Sequence, residues 1–161
     1  MIHHYIVQPI FNNHTNELVE LITHIQQKEF NIPITVHDQP DLLDIEANYH
    51  TGGGNFWGAF NGEELIGTIA LIDIGHNAGT IRKMFIKDGH RGTGLAQQLL
   101  DTLLQYARQK NMTDLYLGTV PALKAAHRFY ERNGFVLTDI NEFPSYFPRV
   151  AVDTMFYHLV I

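Results

Sequence analysis

A chain of 161 residues, 45% hydrophobic and 17% charged, has the size and composition of one globular domain, long enough to bury roughly two-thirds of its unfolded surface. The absence of cysteine excludes a disulfide, a thiolate metal site and a cysteine nucleophile. A formal charge of −6 argues against a nucleic-acid partner, which relies on clustered Lys and Arg, and no window approaches the ~18 consecutive apolar residues of a membrane helix.

The opening Met1-Ile2-His3-His4-Tyr5 carries neither the basic start nor the long apolar stretch of a secretory signal, so a cytoplasmic location is expected. Residues 5–9 read as a short apolar strand. Asn12, Asn13 and Thr15 are candidate caps for a helix running to about residue 30, in which Leu18, Leu21, Ile22 and Ile25 share one face. A second, shorter helix is expected over residues 41–49, and Thr51-Gly52-Gly53-Gly54-Asn55 is a loop by composition. The apolar runs 56–60 and 65–73 flank Asn61-Gly62, a strong hairpin signal. A second hairpin is expected to turn at Gly75-His76-Asn77-Ala78-Gly79 and return through residues 80–86.

After Gly94, Leu95, Leu99, Leu103 and Tyr106 recur at helical steps, with Arg108 and Lys110 at the negative helix end. Leu115-Tyr116-Leu117 is a short buried strand, Pro121 suits the first turn of the next helix and Gly134 suits its end. Residues 135–138, an aromatic and proline-rich loop at 143–148 and a last strand over 150–158 complete the chain. Both faces of that strand are largely apolar, which fits burial on both sides or a homodimer interface. The order β-α-α-β-β-β-α-β-α-β-β describes one α+β domain over residues 1–161, with a mixed, mostly antiparallel sheet of about six or seven strands and about four flanking helices.

The ten histidines, at 3, 4, 14, 24, 37, 50, 76, 90, 127 and 158, form no His-x-x-x-His pair and no His-Glu-x-x-His motif, so no metal site is expected. The run Arg91-Gly92-Thr93-Gly94 leaves a strand and enters a helix, where backbone N–H groups lack internal partners and face outward. An anionic phosphate satisfies them. A side chain at 92 or 94 keeps phosphate oxygens from the main chain, and Arg91 adds positive charge. Neither a Walker loop nor a dinucleotide fingerprint is present, and on these residues alone a packing turn is an equal reading.

Met84-Phe85-Ile86 followed by Arg91-x-x-Gly94-x-Ala96 resembles motif A of the GNAT acetyltransferase superfamily. Leu115-Tyr116-Leu117 and then Ala125-Ala126-His127-Arg128-Phe129-Tyr130-Glu131-Arg132-Asn133-Gly134-Phe135 is similar to that superfamily's motif B. The clear match covers residues 80–135, and a small single-domain member is indicated. The resemblance implies an acetyl-coenzyme A-dependent N-acetyltransferase, moving acetyl to a primary amine of a small molecule or protein by direct attack through a tetrahedral intermediate. It implies a cofactor site of Met84, Phe85, Ile86, Arg91, Gly92, Thr93, Gly94, Leu95 and Ala96. The Met84 backbone N–H is implied to hold the thioester oxygen, Ile86 backbone groups to pair with pantetheine amides, and Tyr130 to give the departing thiolate a hydrogen bond or proton. On its helix alone, Tyr130 reads first as a core aromatic of an amphipathic helix, and it is motif A that points to the functional role.

Two positions depart from the family pattern. Thr80 stands where many relatives carry a glutamate base, and Leu123 where motif B often has asparagine. Glu29, Asp44, Glu46, Asp73 and His76 are conceivable bases, each equally readable as a solvated polar residue, and His127 is expected to face solvent. The Gly52-Gly53-Gly54 loop and the 143–148 loop either flank the acceptor cleft or serve as turn and edge packing. The alternative reading is a non-catalytic acyl-coenzyme A-binding module in which the missing glutamate marks lost chemistry.

Overall fold

The structure, a computed structural model, describes residues 4–161; Met1, Ile2 and His3, part of the segment read for an export signal, lie outside the described residues. Strand β1 (Ile6–Pro9) pairs antiparallel with β2 (Asn55–Asn61). Between them lies helix α1 (Thr15–His24), which continues as a π-helical turn over Ile25–Glu29 and buries Leu18, Leu21, Ile22 and Ile25. All four residues of the expected apolar stripe face the core.

The helix expected over 41–49 is instead two short turns, a 3₁₀ turn at Pro40–Leu43 and a π-helical turn at Glu46–His50. Asp44 separates them. Its backbone is extended at φ −151 and ψ 77, and its carboxylate accepts from the Asn12 amide at 2.9 Å and the Ala47 N–H at 3.1 Å. An aspartate that satisfies the N–H groups of a following turn competes with helix continuation, so the segment restarts there.

Strands β2, β3 (Glu64–Gly75) and β4 (Ala78–Ile86) form the expected meander. Gly62 has φ 63 in the first turn; the second is tighter than expected, with only His76 and Asn77 between strands, both at positive φ. Helix α2 (Leu95–Gln109) then crosses to β5 (Asp114–Thr119), the partner that runs parallel to β4. Helix α3 (Lys124–Arg132) follows, starting three residues after Pro121. It ends in a Schellman arrangement: Gly134 at φ 88 donates to the Glu131 carbonyl at 3.1 Å, and Phe135 donates to the Tyr130 carbonyl at 3.0 Å. Strands β6 (Val136–Leu137) and β7 (Met155–Val160) close a seven-stranded sheet of order β1-β2-β3-β4-β5-β7-β6, mixed and mostly antiparallel.

One layer of helices lies on each face. Leu95, Leu99, Leu100 and Leu103 of α2 and Phe129 and Tyr130 of α3 pack on Trp57, Ile69, Leu115 and Tyr157. On the other face, α1 and the 40–50 turns cover Phe56, Phe60, Leu65 and Ala70. The aromatic loop extends that second layer, with Phe143 and Phe147 packed on Tyr116 and Phe156. Phe156 and Tyr157 are thus buried on opposite sides of β7, and the apolar character of its two faces is explained by burial on both. That strand starts at Met155 rather than at residue 150. Asp153 donates its N–H to the Val150 carbonyl at 3.1 Å, making residues 150–153 a turn, and only at Thr154 does the chain reach β5, through the Thr119 carbonyl at 3.0 Å. Among the described residues no helix is long and apolar enough to cross a membrane.

Candidate functional site

Strands β4 and β5 pair only from Ala78 opposite Asp114 to Thr80 opposite Tyr116, after which β4 runs on to Ile86 and β5 to Thr119 without pairing with each other. The parting coincides with a β-bulge. Thr68 of β3 lies opposite Phe85 and Ala70 opposite Arg82, so Lys83 and Met84 share the place of one residue. Lys83 takes the left-handed conformation at φ 56, and the fully buried Thr68 hydroxyl donates to its carbonyl at 2.6 Å. A bulge re-aims the backbone within and beyond it, and Met84 is its second residue.

Two cavities meet here. The larger, about 430 Å³, lies between the end of β4, the start of α2 and one side of α3. Met84, Phe85, Ile86, Arg91, Gly92, Gly94 and Ala96 line it, bringing together most of the residues singled out in the sequence. Leu95 turns its side chain into the core, and the Thr93 hydroxyl donates to the His90 carbonyl at 2.7 Å, so these two offer only main chain. The cavity is also lined by Ile25, Phe30, His90, Gln97, Phe129 and Arg132, to which the sequence reading gave no cofactor role, and by Leu123, Ala125 and Ala126 of the motif B region. Of these, Phe129 and Arg132 were within reach, because their spacing places them on one side of the motif B helix.

Gly94 is the N-cap of α2 at φ 88, and the helix begins its hydrogen bonding with the Gln98 N–H on the Gly94 carbonyl at 3.1 Å. The N–H groups of Leu95, Ala96 and Gln97 therefore have no intrahelical acceptor, and the first turn holds no acidic residue. This end carries partial positive charge. Arg91 is less available than its position suggests. Its guanidinium donates twice to Glu29, at 2.7 and 3.1 Å, donates to the Ile86 carbonyl at 2.8 Å and lies over the Phe30 ring.

The smaller cavity, about 110 Å³, opens on the other side of the parted strands. Met84, Phe85 and Leu123 line both cavities. Tyr130 reaches the smaller one from α3, with its hydroxyl 3.6 Å from the Met84 sulfur. Burial pushes the Tyr130 phenol well above its ordinary range, and the nearby charge of Asp153 pushes it further. It stays protonated and acts as a donor. Opposite it, Asp153 belongs to the turn before β7; burial pushes its carboxyl up to about 6 against the pull of Arg82, Lys83 and Arg149. Lys83 is lowered by burial, with Asp41 acting in the opposite direction.

None of the five conceivable bases lines either cavity. Glu29 pairs with Arg91, Asp44 and Glu46 bind Asn12, Asp73 accepts from the Gly75 N–H at 2.9 Å, and His76 stacks on Tyr146. Thr80 is fully buried in the last paired position of β4, its hydroxyl without a hydrogen-bond partner among the described residues. His127 turns inward rather than to solvent, with its ring nitrogen 2.8 Å from the Val120 carbonyl. Tyr106 ties the Gly52-Gly53-Gly54 loop to α2 by donating to the Gly53 carbonyl at 2.8 Å, so that loop is packing and does not flank the cleft. Among the described residues no group of three or more His, Asp or Glu gathers as a metal cluster.

The family described as acetyltransferase (GNAT) matches residues 19–135. An acetyltransferase of that family from Staphylococcus aureus Mu50 is 38% identical, superposes with a TM-score of 0.94, and covers 96% of this chain and 98% of its own. The PaiA N-acetyltransferase of Thermoplasma acidophilum, solved with coenzyme A, shares the fold at a TM-score of 0.79 and 16% identity, over 98% of this chain and 99% of its own. N-acetyltransferase 8F1 of Rattus norvegicus is 28% identical over 120 residues, 71% of this chain and 54% of that protein, so the chain spans about half the length of this mammalian relative. With the matched segment running from α1 to the end of α3 and enclosing the bulge, the parted strands and the start of α2, the chain belongs to the GNAT acetyltransferase family.

Proposed function

We propose that this protein transfers an acetyl group from acetyl-coenzyme A to a primary amine. The observation that carries the reading is the pair of cavities joined at Met84 and Phe85, one ending on a helix start that offers free N–H groups, the other holding a carboxylate. The donor-side residues fit a coenzyme A. Its cavity is mostly apolar along the β4 end, as a pantetheine arm requires, and polar at the helix start, as a pyrophosphate requires. The coenzyme A held by the Thermoplasma relative of the same fold supports this choice.

In this reading the amides of residues 91–96 hold the pyrophosphate, and the Ile86 main chain pairs with the pantetheine amides. The Met84 N–H, re-aimed by the bulge, points at the thioester oxygen and stabilises the negative charge that develops there, a contribution of ~10²–10³ in rate for one such donor. The thioester supplies an electrophilic carbon with a sulfur leaving group. Tyr130 steadies that sulfur by hydrogen bonding. Because its phenol is raised rather than lowered, donation of a hydrogen bond fits better than outright loss of its proton.

The test is direct. Purified protein is mixed with acetyl-coenzyme A and a panel of primary amines, free thiol is followed with a chromogenic disulfide, and coenzyme A affinity is measured by calorimetry. Thiol release that depends on one class of amine is expected. Binding without release for any amine supports the non-catalytic module instead, and absence of binding removes both.

A further inference from the structure

We propose that Asp153 is the general base of this site, its carboxylate taking the ammonium proton of the acceptor amine before attack. The inference rests on the acetyl-transfer reading and supplies the group that Thr80 cannot.

The first argument is position. Asp153 is the sole carboxylate, and no histidine accompanies it, among the described residues lining the smaller cavity. Its side chain lies flat on β5 just past the point where β4 and β5 part. Gly118 makes this approach feasible: a Cβ there would stand 2.6 Å from the Asp153 Oδ2 and 3.0 Å from its Cβ. The backbone is fixed on both sides, by the Asp153 N–H on Val150 and the Thr154 N–H on Thr119. Tyr130 shares the cavity and feels the Asp153 charge. The base and the group that steadies sulfur therefore face one space, with Met84 at its inner wall.

The second argument is unspent hydrogen-bonding capacity. The charged and titratable groups around Asp153 are Arg82 and Lys83 from β4, Arg149 from its own loop and Tyr130 from α3. No described residue hydrogen-bonds its carboxylate. Arg82 donates to the Pro148 carbonyl at 2.7 Å, Lys83 to the Gln39 amide oxygen at 2.6 Å, and Lys83 also lies 3.6 Å from Asp41. Asp114, Asp44 and Asp38 each accept side-chain hydrogen bonds, and their carboxyls are held below the ordinary value. Asp153 accepts none, is partly buried, and is raised. A desolvated carboxylate with free lone pairs is basic, and the ligand that complements it is a cation with N–H donors. An alkylammonium is such a cation.

The step balances without any further reactant. The amine nitrogen gives one proton to the Asp153 carboxylate and uses the freed electron pair to form the C–N bond. On collapse the sulfur keeps the electrons of the broken C–S bond and takes the second nitrogen proton, becoming a thiol under the Tyr130 hydroxyl. Asp153 then releases its proton to solvent.

Asp153→Asn tests the assignment through three readouts: thiol release with glycine, L-lysine, spermidine and a lysine-containing peptide as probe amines, coenzyme A affinity by calorimetry, and carboxyl ¹³C titration of the free protein. For whichever probe the wild type accepts, kcat/KM is expected to fall by ~10²–10⁴-fold at pH 7.5, coenzyme A affinity to stay within about twofold, and one carboxyl resonance near pH 6 to disappear. Gly118→Ala, which leaves the carboxyl intact but displaces it, is expected to lower kcat/KM with coenzyme A affinity kept. Full turnover in Asp153→Asn, or a wild-type Asp153 that titrates in the ordinary range near 4, overturns the role of Asp153 and leaves acetyl transfer standing. Absence of thiol release from wild-type protein with every probe overturns acetyl transfer and this proposal with it.

Discussion

The two sides of the parted strands are built on different terms. In the proposed reading the larger cavity's side works through the main chain: the end of β4 and the amides before Gln98 serve regardless of side chain, and Gly92 and Gly94, both at positive φ, are the positions constrained in identity. On the smaller cavity's side the proposed groups are side chains, Tyr130 and Asp153, brought together from α3 and the turn before β7. A main-chain site leaves its mark in local sequence, because the glycines and the strand-to-helix turn must be contiguous. A side-chain site assembled from distant segments leaves no such mark.

The contrast breaks most sharply at Gly94. The open space beside it means that the folded protein tolerates added bulk sterically, while the proposed pyrophosphate path does not. Gly94→Val is expected to abolish coenzyme A binding by calorimetry, a loss of at least ~10²-fold, while costing the fold only the ~1–3 kcal/mol of an unfavourable backbone conformation, read from a thermal melt. Intact binding removes the helix start as the pyrophosphate site. Tyr130→Phe acts on the other side. Turnover is expected to drop by ~10–100-fold, the equivalent of one hydrogen bond to a charged group, with coenzyme A affinity unchanged. Equal turnover reduces Tyr130 to a core aromatic.

The order of elements was legible in advance, because the apolar runs of β2 and β3, the stripe of α1, the Leu95-Leu99-Leu103 face of α2 and the Gly134 stop of α3 are all local patterns, and the motifs named most of the residues that line the larger cavity. Asp153 was hidden for a physical reason. The sequence Val150-Ala151-Val152-Asp153-Thr154 continues into the apolar run of β7 and is rich in β-branched residues, and the Asp153 to Val150 hydrogen bond makes it a turn. What places its carboxylate in the cavity is a missing Cβ at Gly118, a contact between distant parts of the chain that no window spans. The misread helix at 41–49 failed differently. There Asp44 is a local signal, an aspartate able to restart a turn by accepting from the Ala47 N–H.

Acid–base behaviour sharpens the comparison in a second way. Asp153 is raised in the folded protein, to about 6, above its unfolded value near 3.8. Its ionisation therefore works against the fold. The wild type loses stability from this group as pH rises from about 4 to 6 and loses nothing further above that, since both states are then ionised. Asp153→Asn escapes this loss. Its melting temperature is expected to exceed the wild type's by a few degrees at pH 8 and to lose that advantage near pH 4; a lower melting temperature at pH 8 contradicts a desolvated carboxylate. The smallest effect belongs to Glu29, which neutralises Arg91 beside the helix start. Glu29→Gln removes a negative charge from the phosphate path and is expected to tighten coenzyme A binding by about two- to fivefold at low salt, the range of an exposed ion pair. Weaker binding would mean that Glu29 serves to aim Arg91.

The central claim, that the donor sits between the end of β4 and the start of α2, is tested most directly by titrating coenzyme A into ¹⁵N-labelled protein and following backbone amides. The account predicts the largest shifts at residues 84–86 and 91–97, with smaller ones along α3 and little change at α1 or β1. Shifts absent from 91–97 while other amides respond contradict it.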